Sequence, residues 1–504
     1  MNFKTWTSIA TIASFAALAI PAQLAAQNHQ DRNNDKQHHH YKVIEIGTLG
    51  GPNSGVSLEP TVRVLSSQGT VTGCAETPTP DPNSQNPNPF LVNDPLIQHS
   101  VQWKNGVLTD LGALPGGNNS CLDGLQQIAA ISGDGLIAGA SENGVMDPLT
   151  GYPEVRAVLW KDGRIVDLGT LGGNESFSIS VNNRGQVTGA TADAIPDPLS
   201  FFGFGTETRA FLWHDGVMQD LGTLGGTDAF GISINDRGQV LGVSYLNSTP
   251  NPVDGFLWEN GTMTDIPDAL GGTQVNPSYL NNKGQAVGNA TLPGDIELHP
   301  FLWEKGVFTD LGTFGGTFGA ATGLNEVGHV VGMATYPGDT ILRAFLWKNG
   351  VKSDLGTIGS DPCSQAYAIN SHGQVVGWSG FFCPGGNSGS IRAFLSENGG
   401  PMVDLNTLIP ANSGISLIAA SNINDRGEIA GVGLLLNGDT RAFLLIPCEE
   451  DFLNTRCGEA ETASVDLRQP IPSFREIFGG TQRHIVSQGI SRFRFPGAAI
   501  GPRD

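Results

Sequence analysis

Five hundred and four residues would make three or four domains of ordinary size, unless the chain is an array of repeats. The 27 Lys and Arg stand against 48 Asp and Glu, a net charge of -21 that repels phosphate backbones and anionic membrane surfaces, so no nucleic-acid partner is expected. Glycine supplies 69 residues, about twice ordinary usage, which argues against long helices and for turns recurring at fixed places.

In chain order, Lys4 precedes an apolar run from Trp6 to Ile20 and a small-residue stretch from Pro21 to Ala26. This is the pattern of a secretory signal peptide over residues 1–26, too short to span a bilayer in the mature chain. No other stretch reaches spanning length. Residues 27–40, including His38, His39 and His40, read as a flexible polar arm.

From residue 41 a unit recurs eight times. Its first phrase is clearest as DLGTLGG at 220–226, with relatives at 45–51, 110–117, 166–173, 265–272, 310–316, 354–359 and 404–410. The second phrase is INDRGQVLG at 234–242, VNNRGQVTG at 181–189 and INSHGQVVG at 369–377. The third is RAFLW at 209–213 and 343–347, RAFLS at 392–396 and RAFLL at 441–445. Each unit reads as four short antiparallel strands, a to d. Asn-x-x-Gly turns a into b, Gln-Val-x-Gly forms b, the apolar A-F-L-W run forms c, and Asp-Gly or Asn-Gly turns c into d. Consecutive apolar residues in c suit a strand covered on both faces. The expected fold is therefore all-β, a β-propeller of about eight four-stranded antiparallel blades over residues 41–447, with seven as the alternative count. Tyr41 to Gly47 is a strand d with no a to c before it, and Arg441 to Ile446 is a strand c with no d after it. Closure of the ring requires the first to complete the last blade.

These units resemble the HAF repeat of bacterial extracellular proteins, named for a His-Ala-Phe at the start of strand c. Arg stands for the His at 209, 343, 392 and 441, while His299-Pro300-Phe301 keeps the His and Phe. The resemblance covers about residues 41–447 and implies a secreted, propeller-like protein. It brings no catalytic residues with it.

Six cysteines suit an oxidising compartment, and their placement pairs Cys74 with Cys121, Cys363 with Cys383 and Cys448 with Cys457. The b-to-c segments 75–99, 192–208, 244–254 and 378–391 vary most, and variable loops on a rigid scaffold are where binding resides. Their aromatics Phe201, Phe202, Tyr245, Trp378 and Phe381 offer flat faces to a glycan or a protein. Acids near the start of strand a, Glu59, Asp123, Glu175 and Asp228, are placed to line the axial channel, with Glu175 and Asp228 the chosen candidates. The repeated Asp of Asp-Leu-Gly reads as a turn or ladder element, because a residue present in nearly every blade is not a unique acid. No nucleophile–base, zinc-peptidase, phosphate-loop or dinucleotide motif occurs. No cofactor or resident metal is expected. Asp81 to Asn88 offers oxygen ligands to Ca²⁺ without the spacing of a dedicated loop.

The sequence thus points to a secreted, monomeric, non-enzymatic binding module that holds an extracellular glycan or protein at the b-to-c end. The alternative is a polysaccharide hydrolase or lyase using channel-mouth carboxylates. Residues 448–504 break the repeat and form a C-terminal extension.

Overall fold

The structure, a computed structural model, describes residues 39–59, 61–85, 94–121, 129–247, 252–380, 383, 390–448, 450–451 and 454–455. The expected signal peptide, nearly all of the polar arm and most of the C-terminal extension lie outside these residues. Eight four-stranded antiparallel sheets follow one another. In order a, b, c, d, blade 1 holds Ser54–Gly55, Val71–Pro80, Leu96–Lys104 and Val107–Asp110, and blade 2 holds Ala129–Ile131, Ile137–Met146, Pro153–Lys161 and Arg164–Asp167. Blade 3 holds Gly172–Val181, Val187–Pro196, Thr206–His214 and Val217–Asp220, and blade 4 holds Ala229–Ile234, Val240–Tyr245, Val253–Glu259 and Thr262–Ile266. Blade 5 comprises Val275–Leu280, Ala286–Thr291, Leu298–Glu304 and Val307–Asp310; blade 6 comprises Gly319–Leu324, Val330–Thr335, Leu342–Lys348 and Val351–Asp354. Blade 7 comprises Cys363–Ile369, Gln374–Gly380, Ile391–Glu397 and Val403–Asp404. Blade 8 takes a, b and c from Ile415–Ile423, Ile429–Leu435 and Thr440–Pro447, and its fourth strand is Tyr41–Ile46.

That last pairing runs from Tyr41 opposite Pro447 to Ile46 opposite Ala442. The chain closes on itself as the strand order requires, and the count is eight.

Each repeated phrase has a physical reason. The Asn of Asn-x-x-Gly closes its own hairpin and reaches the next blade. In blade 4, Asn235 Oδ1 accepts the backbone N–H of Arg237 and of Gln239, each at 3.0 Å. Its Nδ2 donates to Gln239 Oε1 at 2.7 Å and to the carbonyl of Asn281, in blade 5, at 3.0 Å. The same bond to the following blade is made by Asn182, Asn281, Asn325, Asn370 and Asn424, the last ending on Ser66 of blade 1. Blades 1 and 2 carry Ser66 and Ser132 instead, too short to cross. Their junctions are bonded through Ser67 N–H to Gly133 O at 3.0 Å and Asp134 N–H to Asn183 Oδ1 at 2.8 Å. A belt of hydrogen bonds therefore runs round the whole ring at the hairpin end.

The third phrase builds the core. Phe211, Phe256, Phe301, Phe345, Phe394 and Phe443 of strand c are fully buried. The glycine of Gln-Val-x-Gly makes room for them: a Cβ at Gly242 would collide with the Phe256 ring and the Phe230 carbonyl. Two residues before the Phe, the His or Arg meets the acid of strand d, which stands opposite the Phe in register. His99 Nδ1 lies 2.9 Å from Asp110 and His299 Nδ1 3.0 Å from Asp310. Arg343 reaches Asp354 at 3.9 Å, Arg392 reaches Asp404 at 3.6 Å, and Arg441 reaches Glu45 at 3.1 Å. The Asp also accepts the N–H of the glycine that follows it, as Asp220 does from Gly222 at 2.8 Å. The expected turn-and-ladder role is what it performs.

Deleting residues 1–50 should strip the fourth strand from blade 8 and bare Tyr41 and Ile46 contacts worth several kcal/mol. A loss of roughly 10 °C or more in Tm, or failure to fold, is expected in a circular-dichroism melt. A single transition at the parent temperature would refute closure as the stabilising device.

Candidate functional site

The b-to-c end differs between blades, and the difference begins in strand b. In blades 1 to 3 this strand runs for 10 residues, against 6 or 7 in blades 4 to 8. Much of what reads as loop in the sequence is therefore strand, and three adjacent hairpins stand above the rest. Each turns at an Asp-Pro pair. Asp81, Asp147 and Asp197 accept the N–H two residues on, at 2.9, 2.8 and 2.8 Å. Asp81 and Asp147 are also bonded to the following blade, through Asn119 Nδ2 at 3.0 Å and Asn174 Nδ2 at 2.8 Å. Tied at both sides, these hairpins hold Val145, Met146, Leu149, Ile195 and Leu199 out to water at 49–61% exposure. Blades 2 and 3 meet there, since a Cβ at Gly205 would stand 3.7 Å from that of Leu149.

The aromatic candidates separate. Phe201 and Phe202 fold back over the junction of blades 3 and 4, where they pack with Phe177, Phe204, Phe230 and Tyr245 at centroid distances of 4.7–6.2 Å. Tyr245 is buried, and Phe201 and Phe202 are half-buried. Trp378 is far round the ring, inside strand b of blade 7, and is buried. Phe381 lies outside the described residues. The rings are thus engaged chiefly with one another, and Trp378 belongs to a strand rather than a binding loop.

Glu175 and Asp228 occupy equivalent positions in blades 3 and 4, and each reaches back to strand c of the preceding blade. Glu175 Oε2 accepts the N–H of Val155 at 2.8 Å. Asp228 Oδ1 accepts the N–H of Thr208 at 2.7 Å and its Oδ2 that of Phe201 at 2.5 Å. Cys363 Sγ meets Leu342 N–H in the same way in blade 7. The position is a staple between blades. Burial pushes the Glu175 carboxyl up to about 8, with Asp147 and Glu154 adding to it against the Val155 bond. Burial likewise raises Asp228 to about 7, reinforced by Asp197 and Glu207 and opposed by its two backbone donors. Asp123 lies outside the described residues.

Glu59 belongs to a feature that the repeat pattern conceals. Strand a of blade 1 is only Ser54–Gly55, and the chain beyond it enters the middle of the ring. Leu58 packs against a cluster holding Met333 of blade 6, Cys363 and Trp378 of blade 7 and Ala419 of blade 8. Arg63 Nη2 donates to Tyr279 OH of blade 5 at 3.1 Å, a bond that crosses the axis, because blades 1 and 5 face each other. Val64 N–H is held by Asn422 of blade 8 at 2.6 Å, and Arg63 O by Ile131 N–H of blade 2 at 2.8 Å. Residues 56–59 and 61–64 thus plug the axial channel, which opens toward the hairpin end as a polar cleft around Arg63, Tyr279, Asp236 and Glu326.

Two disulfides join Cys74 to Cys121 and Cys363 to Cys383, with Cα–Cα distances of 5.7 and 5.6 Å. The first links blade 1 to the start of blade 2; the second ties strand a of blade 7 to its b-to-c segment. Cys457, expected partner of Cys448, lies outside the described residues. So does part of Asp81 to Asn88, and among the described residues no group of three or more His, Cys, Asp or Glu is arranged to hold a metal. No helix among them is long and apolar enough to cross a membrane.

Neither a family model nor a curated protein sequence matches the chain. Among solved structures it is similar to the β-propeller domain of the Trilobed protease from Pyrococcus furiosus, at 8% identity and a TM-score of 0.39, over 64% of this chain and 93% of that one. It is also similar to dipeptidyl peptidase 4 of Porphyromonas gingivalis, at 11% identity and a TM-score of 0.40, over 68% of this chain and 54% of that one. A gluconolactonase of Xanthomonas campestris matches at 12% identity and a TM-score of 0.26, over 58% of this chain and 90% of that one. The chain spans about half the length of the dipeptidyl peptidase.

The raised carboxyls give a pH dependence of definite sign. A folded-state value above the ordinary carboxylate value means that the fold binds the proton more tightly than the unfolded chain does. Stability contributed this way is full below the ordinary carboxylate range and is lost as pH climbs to about 8 for Glu175 and about 7 for Asp228. Tm should therefore fall between about pH 5 and about pH 9, and Glu175→Gln should make that fall shallower. Equal slopes in a thermal-shift series would show that Glu175 ionises freely in the fold.

Proposed function

We propose that this chain is a secreted, non-enzymatic interaction module of the HAF-repeat type, a monomeric scaffold whose partner is an extracellular protein held by the raised hairpins of blades 1 to 3. The observation that carries this reading is five exposed aliphatic side chains, Val145, Met146 and Leu149 of blade 2 and Ile195 and Leu199 of blade 3, presented on hairpins bonded to the following blade. A rigid apolar patch loses little entropy on docking and gains from the water it sheds. Aliphatic rather than aromatic exposure favours a protein over a glycan, because sugar faces are taken by flat rings, and the rings here are packed on one another. The two disulfides suit an oxidising, extracytoplasmic setting.

The rival reading, a polysaccharide hydrolase or lyase, needs a pair of carboxyls facing one substrate. Glu175 and Asp228 sit in separate blade junctions and accept backbone N–H groups of different strands, and the plug occupies the channel they were expected to line. No second reading is therefore preferred.

The test is retention of proteins secreted by the source organism on the immobilised protein, beside a glycan array and a reducing-end release assay. One protein should be retained equally by the parent and by Glu175→Gln, and about tenfold less by a Leu149→Glu, Leu199→Glu double variant, as expected when central apolar contacts are lost. Glycan retention with no protein retained, or released reducing ends, would overturn the proposal.

A further inference from the structure

Blade 4 departs from the other blades at the pair that joins its outer two strands. Blades 1, 5, 6, 7 and 8 set a His or Arg of strand c against the acid of strand d. In blades 2 and 3 the Arg turns instead to acids at the b-to-c end, Arg156 to Glu154 at 3.0 Å and Arg209 to Asp193 at 2.9 Å. Blade 4 keeps the register, with Phe256 opposite Asp265, but Asp254 stands in the cation's place.

Asp254 is 6% exposed. Its carboxyl is hydrogen-bonded to Asp265 of strand d and accepts the backbone N–H of Asp268, in the connection to blade 5. On the other side, in strand b, its register partner is the neutral Ser244. Asp268 Oδ2 is buried without a hydrogen-bond partner, and Asp295 of blade 5 adds a fourth acid beside Asp268. Among the described residues, no basic side chain is one of the charged groups acting on Asp254, Asp265 or Asp268.

Two carboxyl groups within hydrogen-bonding distance in a partly dry site cannot both ionise without repelling each other, so the pair holds one proton between them. What that proton holds is slight. Strand d of blade 4 has five residues, with only Ile266 buried.

We infer that the outer edge of blade 4 is a proton-dependent seam: strand d, Thr262–Ile266, is held to strand c by a proton shared between Asp254 and Asp265, and loosens when both become charged. Released, it would bare the outer edge of strand c, a row of backbone N–H and C=O groups open to another strand. Burial lifts the Asp254 carboxyl to about 7, with Asp265 and Asp268 adding to it, and burial raises Asp265 as well. Because the closed edge binds the proton more tightly than an open one, closure is strongest below the ordinary carboxylate range and weakens as pH rises through about 7.

Amide hydrogen exchange of the full chain at about pH 5 and about pH 8.5, corrected for intrinsic rates, tests this. Strand d of blade 4 should lose about tenfold or more in protection at the higher pH relative to Tyr41–Ile46, the corresponding strand of blade 8, which an Arg–Glu pair holds. Asp254→Arg, which restores the cation of the other blades, and Asp265→Asn, which removes one charge from an exposed position, should each abolish the difference. Should Asp254→Arg fail to fold, Asp265→Asn decides alone. Parallel behaviour of the two strands in the parent, or an undiminished pH response in Asp265→Asn, would overturn the inference.

Discussion

Eight wedge-shaped sheets make a ring only if every junction between them is bonded, and the last junction must be made by segments at opposite ends of the repeat. Asn424 and Ser66, bonded across it, are 358 residues apart. By chain statistics, bringing such distant segments together costs about 5 kcal/mol beyond a constant. Several independent contacts meet this cost at one place. The Asn424 amide reaches Ser66, Thr440 N–H reaches Asn53 Oδ1 at 3.0 Å, Arg441 reaches Glu45, and Tyr41–Ile46 adds a whole strand to blade 8. The first three are polar, while the strand also buries Tyr41 and Ile46 in the core. They fix which surfaces meet, and packing within and between the blades then supplies the bulk of the stability.

The same constraint explains which parts of the repeat are kept and which drift. The asparagine amide has two tasks, one inside its hairpin and one across the junction, and no residue lacking both a donor and an acceptor at that reach does both. Serine in blades 1 and 2 performs only the first, and those junctions use backbone bonds and Asn183 instead. At the other end the junction is stapled by whatever side chain can accept an N–H from the preceding strand c, so Glu175, Asp228 and Cys363 are interchangeable in function though not in charge. Where such a staple is a buried carboxyl it keeps its proton toward neutral pH. Burial at the junction is the physical origin of the raised values at Glu175 and Asp228.

Periodic features were legible from the residues alone. The eight units, the four strands of each, the turn chemistry and the closure by Tyr41–Ile46 all follow from phrases whose recurrence reports a common geometry. Features of single blades were not. Tyr245 and Trp378 read as loop aromatics because strand b has no fixed end in the sequence, yet each lies within that strand and is buried. Glu175 and Asp228 were correctly placed near the start of strand a, but whether such an acid faces the channel or the next blade depends on side-chain direction, which spacing does not specify. The plug was invisible for the opposite reason. Blade 1 lacks the strand-a phrase, and a missing phrase looks like divergence, whereas in space residues 56–59 and 61–64 leave the sheet and fill the axis. The Asp254–Asp265 pair is legible in hindsight, since an acid at the His/Arg position of one unit, with the facing acid retained, predicts a carboxyl pair from the alignment of the repeats alone.

Breaks in the repeat are therefore where this molecule's individuality lies, and they act through different parts of the ring. The lengthened hairpins of blades 1 to 3 add surface, and the first two are themselves bonded to the following blade through Asp81 and Asp147 at their turns. The plug occupies the axial channel. Leu58 seals it with apolar contacts, and the Arg63–Tyr279 bond spans what would be its lumen. Outer strands are short, and in blades 1, 5, 6, 7 and 8 one charge pair between strands c and d adds to their backbone register. Replacing the cation of such a pair by a carboxylate keeps the register of strands c and d and changes what joins them at that edge, so the inferred seam of blade 4 is separate from the carboxyl staples at the blade junctions.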